Sequence, residues 1–503
     1  MTIQELLKTI IVADLPPVLS DSKIQSIVSD SRQVIPGSLF VALPGVAAHG
    51  SAFIDEAIRK GAICIVTSRE FSRNKKIQDE KIPIIGVEDP LEFLKKALLH
   101  FYGNPSGTIK VLGVTGTNGK TTITYLLESI LSQRNERCAV LGTINHRVGE
   151  KILVSKNTTP GLVDNHVYLS QMLNEKVGYC AMEVSSHALH QGRVDLIDFS
   201  TAIFTNLTGD HLDYHKDMEN YFQAKSILFK RLSPQASAVI NIDDPYGKRL
   251  FDLTQASTQA SILTYGLIDA AHVRAVNIQM QLTESHFTVI FPGGKLDIKT
   301  KLIGQHNVYN ILACVAVCLS QGIDTEQIQK GVEKLHAVAG RLERIEEAID
   351  FHVYIDYAHT EDALKNVLAS LKKVNQSKII LVFGCGGNRD KTKRPKMGKV
   401  ASLLADWSII TSDNPRDEDP DVIIQEITDG FMKKNYEVIV DRREAIHKAL
   451  KSAKKNEVVL IAGKGHENYQ IFKDQTIHFD DCEIVREYFL NFKKTEMLQE
   501  NPI

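Results

Sequence analysis

Several things are scarce or missing in this chain, and each shortage removes a class of function. No apolar run approaches the ~18–20 residues of a spanning helix, so no membrane span is expected. Met1-Thr-Ile-Gln-Glu-Leu-Leu7 has no basic region ahead of an apolar core, so no signal peptide is expected. Lys plus Arg (59) nearly balance Asp plus Glu (61), and the net charge of −2 gives no drive toward nucleic acid or an anionic membrane. The seven cysteines are scattered and odd in number, without a Cys-x-x-Cys. Cys314 and Cys318, one turn apart in an apolar helix, read as core residues, because no second pair or nearby histidine completes a tetrahedral metal set. That usage predicts a cytoplasmic protein. Internal repeats and low-complexity segments are absent. A GTPase base-reading Asn-Lys-x-Asp is missing too, since Asn206 is followed by leucine, and no serine sits in a nucleophile elbow.

The chain does have 503 residues of ordinary globular composition, enough for about three or four domains of ~100–200 residues. Strand-like runs alternate with helical periods, which predicts an α/β fold with mostly parallel sheets. The turn chemistry of Tyr102-Gly-Asn-Pro-Ser-Gly107 ends a first unit, 1–105, with strands near Leu39–Leu43 and Ala62–Thr67 and a helix from Phe53 to Gly61. A second unit, 106–337, holds a strand at Ala238–Ile242 and alternating strand character near His272–Ile298. A third, 338–503, holds strands at Val353–Ile355, Ile379–Phe383, Trp407–Thr411, Glu437–Val440 and Val458–Ile461. Residues after about Lys493 read as a frayed tail.

The most informative stretch is Ile109-Lys-Val-Leu-Gly-Val-Thr-Gly-Thr-Asn-Gly-Lys-Thr-Thr122. It reads as an apolar strand, a glycine-rich turn and a helix with an apolar stripe at Ile123, Leu126, Leu127, Ile130 and Leu131. Gly116 and Gly119 let backbone N–H groups turn around phosphate oxygens, Lys120 can reach the terminal phosphates, and the Thr121 hydroxyl is placed for Mg²⁺. The generic phosphate loop wants a glycine where Val114 stands, so the match is one residue out of register. A nucleoside triphosphate site is expected here.

Further clusters sit at predicted strand ends, where open parallel sheets bind ligands. Glu183, in Ala181-Met-Glu-Val-Ser-Ser-His187, is placed as a second Mg²⁺ ligand. Thr205–His215 carries Asp210, His211, Asp213 and His215, compatible with a polar surface loop, a Zn²⁺ site or the Mg²⁺ site. Lys225, taken alone, reads as a solvent-facing lysine. Amide side chains in Gly304-Gln-His-Asn-Val-Tyr-Asn310 could read a base edge. Asp356 and His359, the glycine-rich Phe383–Asp390 turn with Arg389, Ser412–Asp417 and Ala462–Glu467 complete the set.

These motifs together resemble the Mur ligases, ATP-dependent amino-acid ligases, over nearly the whole chain. The family's Thr-Gly-Thr-Asn-Gly-Lys-Thr, found at 115–121, accounts for the off-register loop. The resemblance implies an N-terminal α/β UDP-binding domain, a central phosphate-loop ATPase domain on a parallel sheet, and a Rossmann-like C-terminal domain that binds the amino acid. By position, Gly116, Thr117, Asn118, Gly119, Lys120, Thr121 and Thr122 would hold ATP phosphates, with Asn307, Arg341, Asp356 and His359 around the domain junction. Thr121, Glu183, His211 and Lys225 would serve Mg²⁺, Lys225 as a carbamate formed with CO₂, and Lys120, Glu183, His211 and Lys225 form the implied catalytic set. Ser29, Ser31, Asn157, Thr158, Thr159, Ser185, Gln191 and Arg193 would hold a UDP-muramoyl-dipeptide. The family usually has Asp-Gly where this chain has His49-Gly50.

The Asp413-Asn-Pro-Arg416 motif resembles the form in family members that add meso-diaminopimelate, whereas lysine-adding relatives usually lack the arginine. Asp413, Asn414, Pro415 and Arg416 with Arg389, Gly463 and Glu467 would hold that amino acid, the arginines on its distal carboxylate and Glu467 on its distal ammonium. The implied reaction adds meso-diaminopimelate to UDP-N-acetylmuramoyl-L-alanyl-D-glutamate through an acyl phosphate, in a cytoplasmic monomer without nucleic-acid partners. The alternatives are the same ligase using L-lysine, a folylpolyglutamate synthase, or a phosphate-loop ATPase acting as a switch or partner-binding module.

Overall fold

The computed structural model describes residues 1–10, 22–45, 49–74, 82–134, 136–348 and 350–500. Contacts divide the chain into two compact units: Met1–Val111 with Thr159–Gly178 and Ala188–Asp198, and Leu112–Thr158 with Tyr179–His187 and Phe199–Ile503.

In the first unit, four short strands (Ser26–Val28, Ser38–Val41, Ala62–Ser68 and Ile84–Val87) form a parallel sheet in sequence order. Helix Pro90–Tyr102 starts where Asp89 accepts the Leu91 and Glu92 N–H groups and proline takes the first turn, which needs no N–H. Its Phe93, Leu94, Ala97 and Leu98 pack on Ile27, Leu39, Val41 and Cys64. The expected helix at 53–61 is a 3₁₀ turn Gly50–Phe53 followed by Ile54–Arg59. His49 caps that turn by accepting the Ser51 N–H at 3.2 Å through Nδ1, as a side-chain carboxylate does at other helix starts.

The second unit holds an 11-stranded sheet. Its centre is Ser237–Asn241, Phe199–Phe204, Lys110–Thr115, Tyr179–Glu183 and Cys138–Leu141, in that order. On one side Asn145–Val148 and Lys151–Val154 add antiparallel; on the other, Ser261–Gly266 and Val273–Met280 continue in parallel before Ser285–Phe291 and Gly294–Thr300 add antiparallel. The sheet is therefore mixed at its margins. A mostly parallel reading misses this because two-residue turns such as Gly149-Glu150 and Pro292-Gly293 turn the chain straight back. Helix Gln305–Ser320 is buried almost end to end, which is why Cys314 and Cys318 are core residues.

A six-stranded sheet follows, ordered Glu343–Ile345, His352–Asp356, Val458–Ala462, Ile379–Phe383, Trp407–Ile410 and Tyr436–Val438; all its pairs are parallel except the first. Four of its strands end just before the clusters singled out above. The expected frayed tail differs: helix Asp481–Glu500 runs through Lys493, whose following residues are mostly good helix formers, and 501–503 lie outside the described residues.

Candidate active site

The strand Lys110–Thr115 delivers the loop 116–119 to the start of helix Lys120–Leu131. Gly116 has φ +143°, and a Cβ there would lie 1.9 Å from Thr205 Oγ1, so only glycine fits. The neighbouring strand end braces the loop: Thr205 Oγ1 donates to Asn118 O, and Asn206 accepts the Thr117 and Asn118 N–H groups through its backbone and side-chain oxygens. Lys120 Nζ donates to Gly116 O and Thr117 O at 2.9 and 2.8 Å. Thr121 and Thr122 are buried in the first helical turn.

Glu183 is the last residue of its strand and is buried; it accepts from Thr143 N (2.8 Å) and Thr143 Oγ1 (3.0 Å). Lys225 overturns its solvent-facing reading, being only 2% exposed. Its Nζ donates to Gly116 O at 2.9 Å and lies 4.6 Å from the Tyr221 ring centre. Burial first, and the Lys120 charge second, push the Lys225 amine well below the usual lysine range, against the pull of Asp210. Lys120 is lowered as well, mainly by burial.

His211 has φ +55° and lies 3.5 Å from Asp210. Desolvation pushes its pKa down to about 4, with His187, Lys120 and Lys225 adding to the shift and Asp210 opposing it. His215 instead turns inward to Ser186 Oγ at 2.9 Å, and Asp213 is exposed. Among the described residues there is no group of three or more His, Cys, Asp or Glu placed to hold a metal ion. The oxygens of Thr121 and Glu183 suit Mg²⁺, which keeps waters and phosphate oxygens and needs few protein ligands.

The C-terminal part of the same unit reaches this loop directly. Arg341 Nη2 donates to Thr121 Oγ1 (3.1 Å), its guanidinium lying 4.6 Å from the Tyr357 ring centre, and Asp362 accepts from Asn118 Nδ2 and Thr208 Oγ1. Asp356 accepts the Leu342 and Ala358 N–H groups, and burial raises its pKa to about 6 against the influence of Arg341. His359 Nδ1 lies 2.8 Å from Tyr357 O. The Asn307 amide donates to Ile303 O and accepts from Asn310, so in this structure both ends serve the helix start. Asn206, Asp362, Thr143 and Tyr357 are the supporting groups that sequence reasoning missed. Asn206 was visible beside the strand end; the others act through long-range contacts no local motif encodes.

A cleft of about 1340 Å³ in this unit is lined by residues that include Thr143, Asn157, Thr158, Asp210 and His211. The same lining includes His359, Arg389, Asp413, Asn414, Arg416, Gly463 and Glu467. Arg389 is exposed, while Arg416 is half-buried with φ +54° and donates to Gly387 O at 2.8 Å. Pro415 is buried behind them, and Ser185 is half-buried after the Glu183 strand. The first unit holds the other expected dipeptide residues. There Arg193 donates to Gln191 Oε1 (3.0 and 2.6 Å) and to Thr159 O, and Ser31 Oγ donates to Glu56, with Ser29 half-buried nearby in sequence.

Three family models match in series: Mur ligase family, catalytic domain, at residues 23–102; Mur ligase middle domain at 114–318; and Mur ligase, glutamate ligase domain, at 340–465. A UDP-N-acetylmuramoyl-L-alanyl-D-glutamate–2,6-diaminopimelate ligase 1 of Clostridium acetobutylicum is 44% identical over 464 residues, 91% of this chain and 93% of that one. The chain belongs to the Mur ligase family. It is an ATP-dependent ligase. A diaminopimelate ligase of Caldanaerobacter subterraneus is 43% identical over 94% of this Mur ligase and 96% of its own length. A solved UDP-N-acetylmuramoyl-L-alanyl-D-glutamate–2,6-diaminopimelate ligase superposes with a TM-score of 0.68 at 31% identity, covering 98% of this chain and 99% of that one. A Mycobacterium tuberculosis folylpolyglutamate synthase, at 18% identity and TM-score 0.62, shares the fold alone. Among the described residues no helix is long and apolar enough to cross a membrane.

Proposed function

We propose that this ligase joins meso-2,6-diaminopimelate to UDP-N-acetylmuramoyl-L-alanyl-D-glutamate at the expense of ATP, in peptidoglycan precursor synthesis. The supporting observation is the cleft whose lining brings Asp210 and His211 together with Arg389, Arg416 and Glu467. In this reading the γ-carboxylate of D-glutamate attacks the ATP γ-phosphorus, releasing ADP and leaving an acyl phosphate. The amine of the amino acid then attacks the acyl carbon, and phosphate leaves as the amide forms.

Gly116–Thr122 hold the phosphates through backbone N–H groups and Lys120, which offsets the charge of a carboxylate approaching a triphosphate. Asn307, Arg341, Asp356 and His359 serve the nucleotide from the junction. Thr121, Glu183, His211 and a carbamate on Lys225 would hold Mg²⁺, which would supply further charge neutralisation when bound. Carbamate formation requires a neutral amine, and the buried Lys225, facing a second lysine, suits that requirement. Ser29, Ser31, Asn157, Thr158, Thr159, Ser185, Gln191 and Arg193 hold the nucleotide-linked dipeptide. Asp413, Asn414, Pro415, Arg416, Arg389, Gly463 and Glu467 hold the diaminopimelate. We assign 1–105 to UDP binding, 106–337 to ATP and 338–503 to the amino acid, and a cytoplasmic monomer as the working form; the seven free cysteines suit a reducing compartment.

ADP release tests the reading. It should require the UDP-muramoyl-dipeptide, with sustained turnover requiring diaminopimelate as well. Equal ADP release with neither co-substrate would instead support a phosphate-loop switch.

A further inference from the structure

One charged group beside the amino-acid wall has no part in the reaction described above. Lys464 is fully buried, at 0% exposure, and is not among the residues lining the cleft. The flanking glycines have φ +112° and +55°, and a Cβ at Gly465 would lie 2.7 Å from Tyr357 Cβ, so the Gly-Lys-Gly backbone suits this turned-in arrangement. Its Nζ donates to Tyr469 O (2.5 Å), Asn414 Oδ1 (3.3 Å) and Glu467 Oε2 (3.3 Å). An ammonium has three donors, and all three are used, as burying such a group requires.

The three acceptors belong to three pieces of the amino-acid wall. Asn414 donates from Nδ2 to the same Glu467 oxygen at 2.8 Å and accepts the Ile471 N–H at 2.9 Å. Arg416 N donates to Ile471 O, and Gln470 Nε2 donates to Asp413 O. One cation therefore ties the Asp413–Arg416 segment, the hairpin Tyr469–His478 and Glu467 together. Both bonds to Glu467 fall on Oε2, which leaves Oε1 for a ligand.

We propose that Lys464 is a positioning residue for amino-acid selection, clamping Glu467 so that one carboxylate oxygen meets the substrate's distal ammonium while partly cancelling that carboxylate's charge. This rests on the diaminopimelate reading above. With Glu467 already paired, an ammonium alone gains little there, and binding depends on the carboxylate that accompanies it to Arg416. A lysine side chain brings only the ammonium. The clamp thus favours an amino acid whose distal end carries both charges.

The groups around Glu467 set the sign of the pH effect. Burial raises its carboxyl pKa and Asp413 adds to the rise, while Lys464 and the Asn414 amide oppose it. Tyr357, Tyr469 and the Arg442 guanidinium also interact with it electrostatically. Removing the lysine charge therefore raises the pKa further, and Glu467 is protonated at higher pH.

The test is the pH profile of kcat/KM for diaminopimelate in the full-length enzyme and in Lys464→Met, Lys464→Arg and Glu467→Gln. In Lys464→Met the acid limb should move to higher pH. KM for diaminopimelate should rise roughly 10–100-fold, the range that outer-layer partners carry in metal sites, with KM for ATP little changed. Preference over L-lysine should fall as well. Lys464→Arg should keep the acid limb in place, and Glu467→Gln should remove it. An unmoved limb in Lys464→Met overturns the proposal. If that variant does not fold, a limb that persists in Glu467→Gln overturns it instead. A wild-type enzyme that does not turn over diaminopimelate would refute the substrate reading itself, before any variant is made.

Discussion

Lys225 shows where residue-level reasoning succeeds and where it stops. On helix Met218–Lys230 it lies four residues after Tyr221 and four before Phe229, both buried, so its helical position is on the apolar face. The periodicity was legible; the habit of placing lysines in solvent hid it. Its burial beside Lys120 holds the amine well below the usual lysine range, which favours the neutral form that the proposed carbamate requires, and this gives the first residue-scale prediction. Lys225→Ala should lose most ligase activity, and formate or acetate should restore part of it by supplying a carboxylate at the vacated position. Unchanged turnover in the variant would remove the carbamate from the account. Glu183 was similarly placed from a strand-end argument, but its orientation by Thr143 comes from a residue 40 positions away that no motif links to it.

The helices and strands were more legible than their edges. Strand Lys110–Thr115 and helix Lys120–Leu131 follow from a local pattern, and so do the parallel strands of the C-terminal sheet. The antiparallel additions did not, because short edge strands alternate weakly and are specified by pairing more than by propensity. Packing between elements gives a prediction of its own at Gly331, in helix Thr325–Lys334. Alanine there would gain about 1 kcal/mol of helix propensity. Its Cβ, however, would lie 2.3 Å from Ile130 Cα on the phosphate-loop helix, a backbone atom that cannot swing aside. Overpacking of this kind costs about 1–3 kcal/mol or more, so the clash should win. Gly331→Ala should lower the denaturation midpoint; a raised midpoint would mean that the two helices separate more easily than their contact suggests.

At the scale of the molecule, three sheets each present strand ends or loops where the sequence carried polar clusters. The candidate amino-acid residues were legible as a group because their motifs stand immediately after strands, as in Thr411–Arg416 and Gly463–Glu467. Their second layer was not: Lys464 looked like one more polar residue until its three acceptors came together from separate segments. The arginines make the central claim specific. Diaminopimelate differs from lysine by one distal carboxylate, and with lysine bound Arg416 would be desolvated without that acceptor; sites of this kind reject the lesser analogue by roughly 10⁴-fold or more. The most direct test is therefore an amino-acid panel assayed with UDP-N-acetylmuramoyl-L-alanyl-D-glutamate and ATP, read as kcat/KM for each amino acid. The account predicts meso-diaminopimelate far ahead of L-lysine, by about that factor. Equal use of lysine would contradict it.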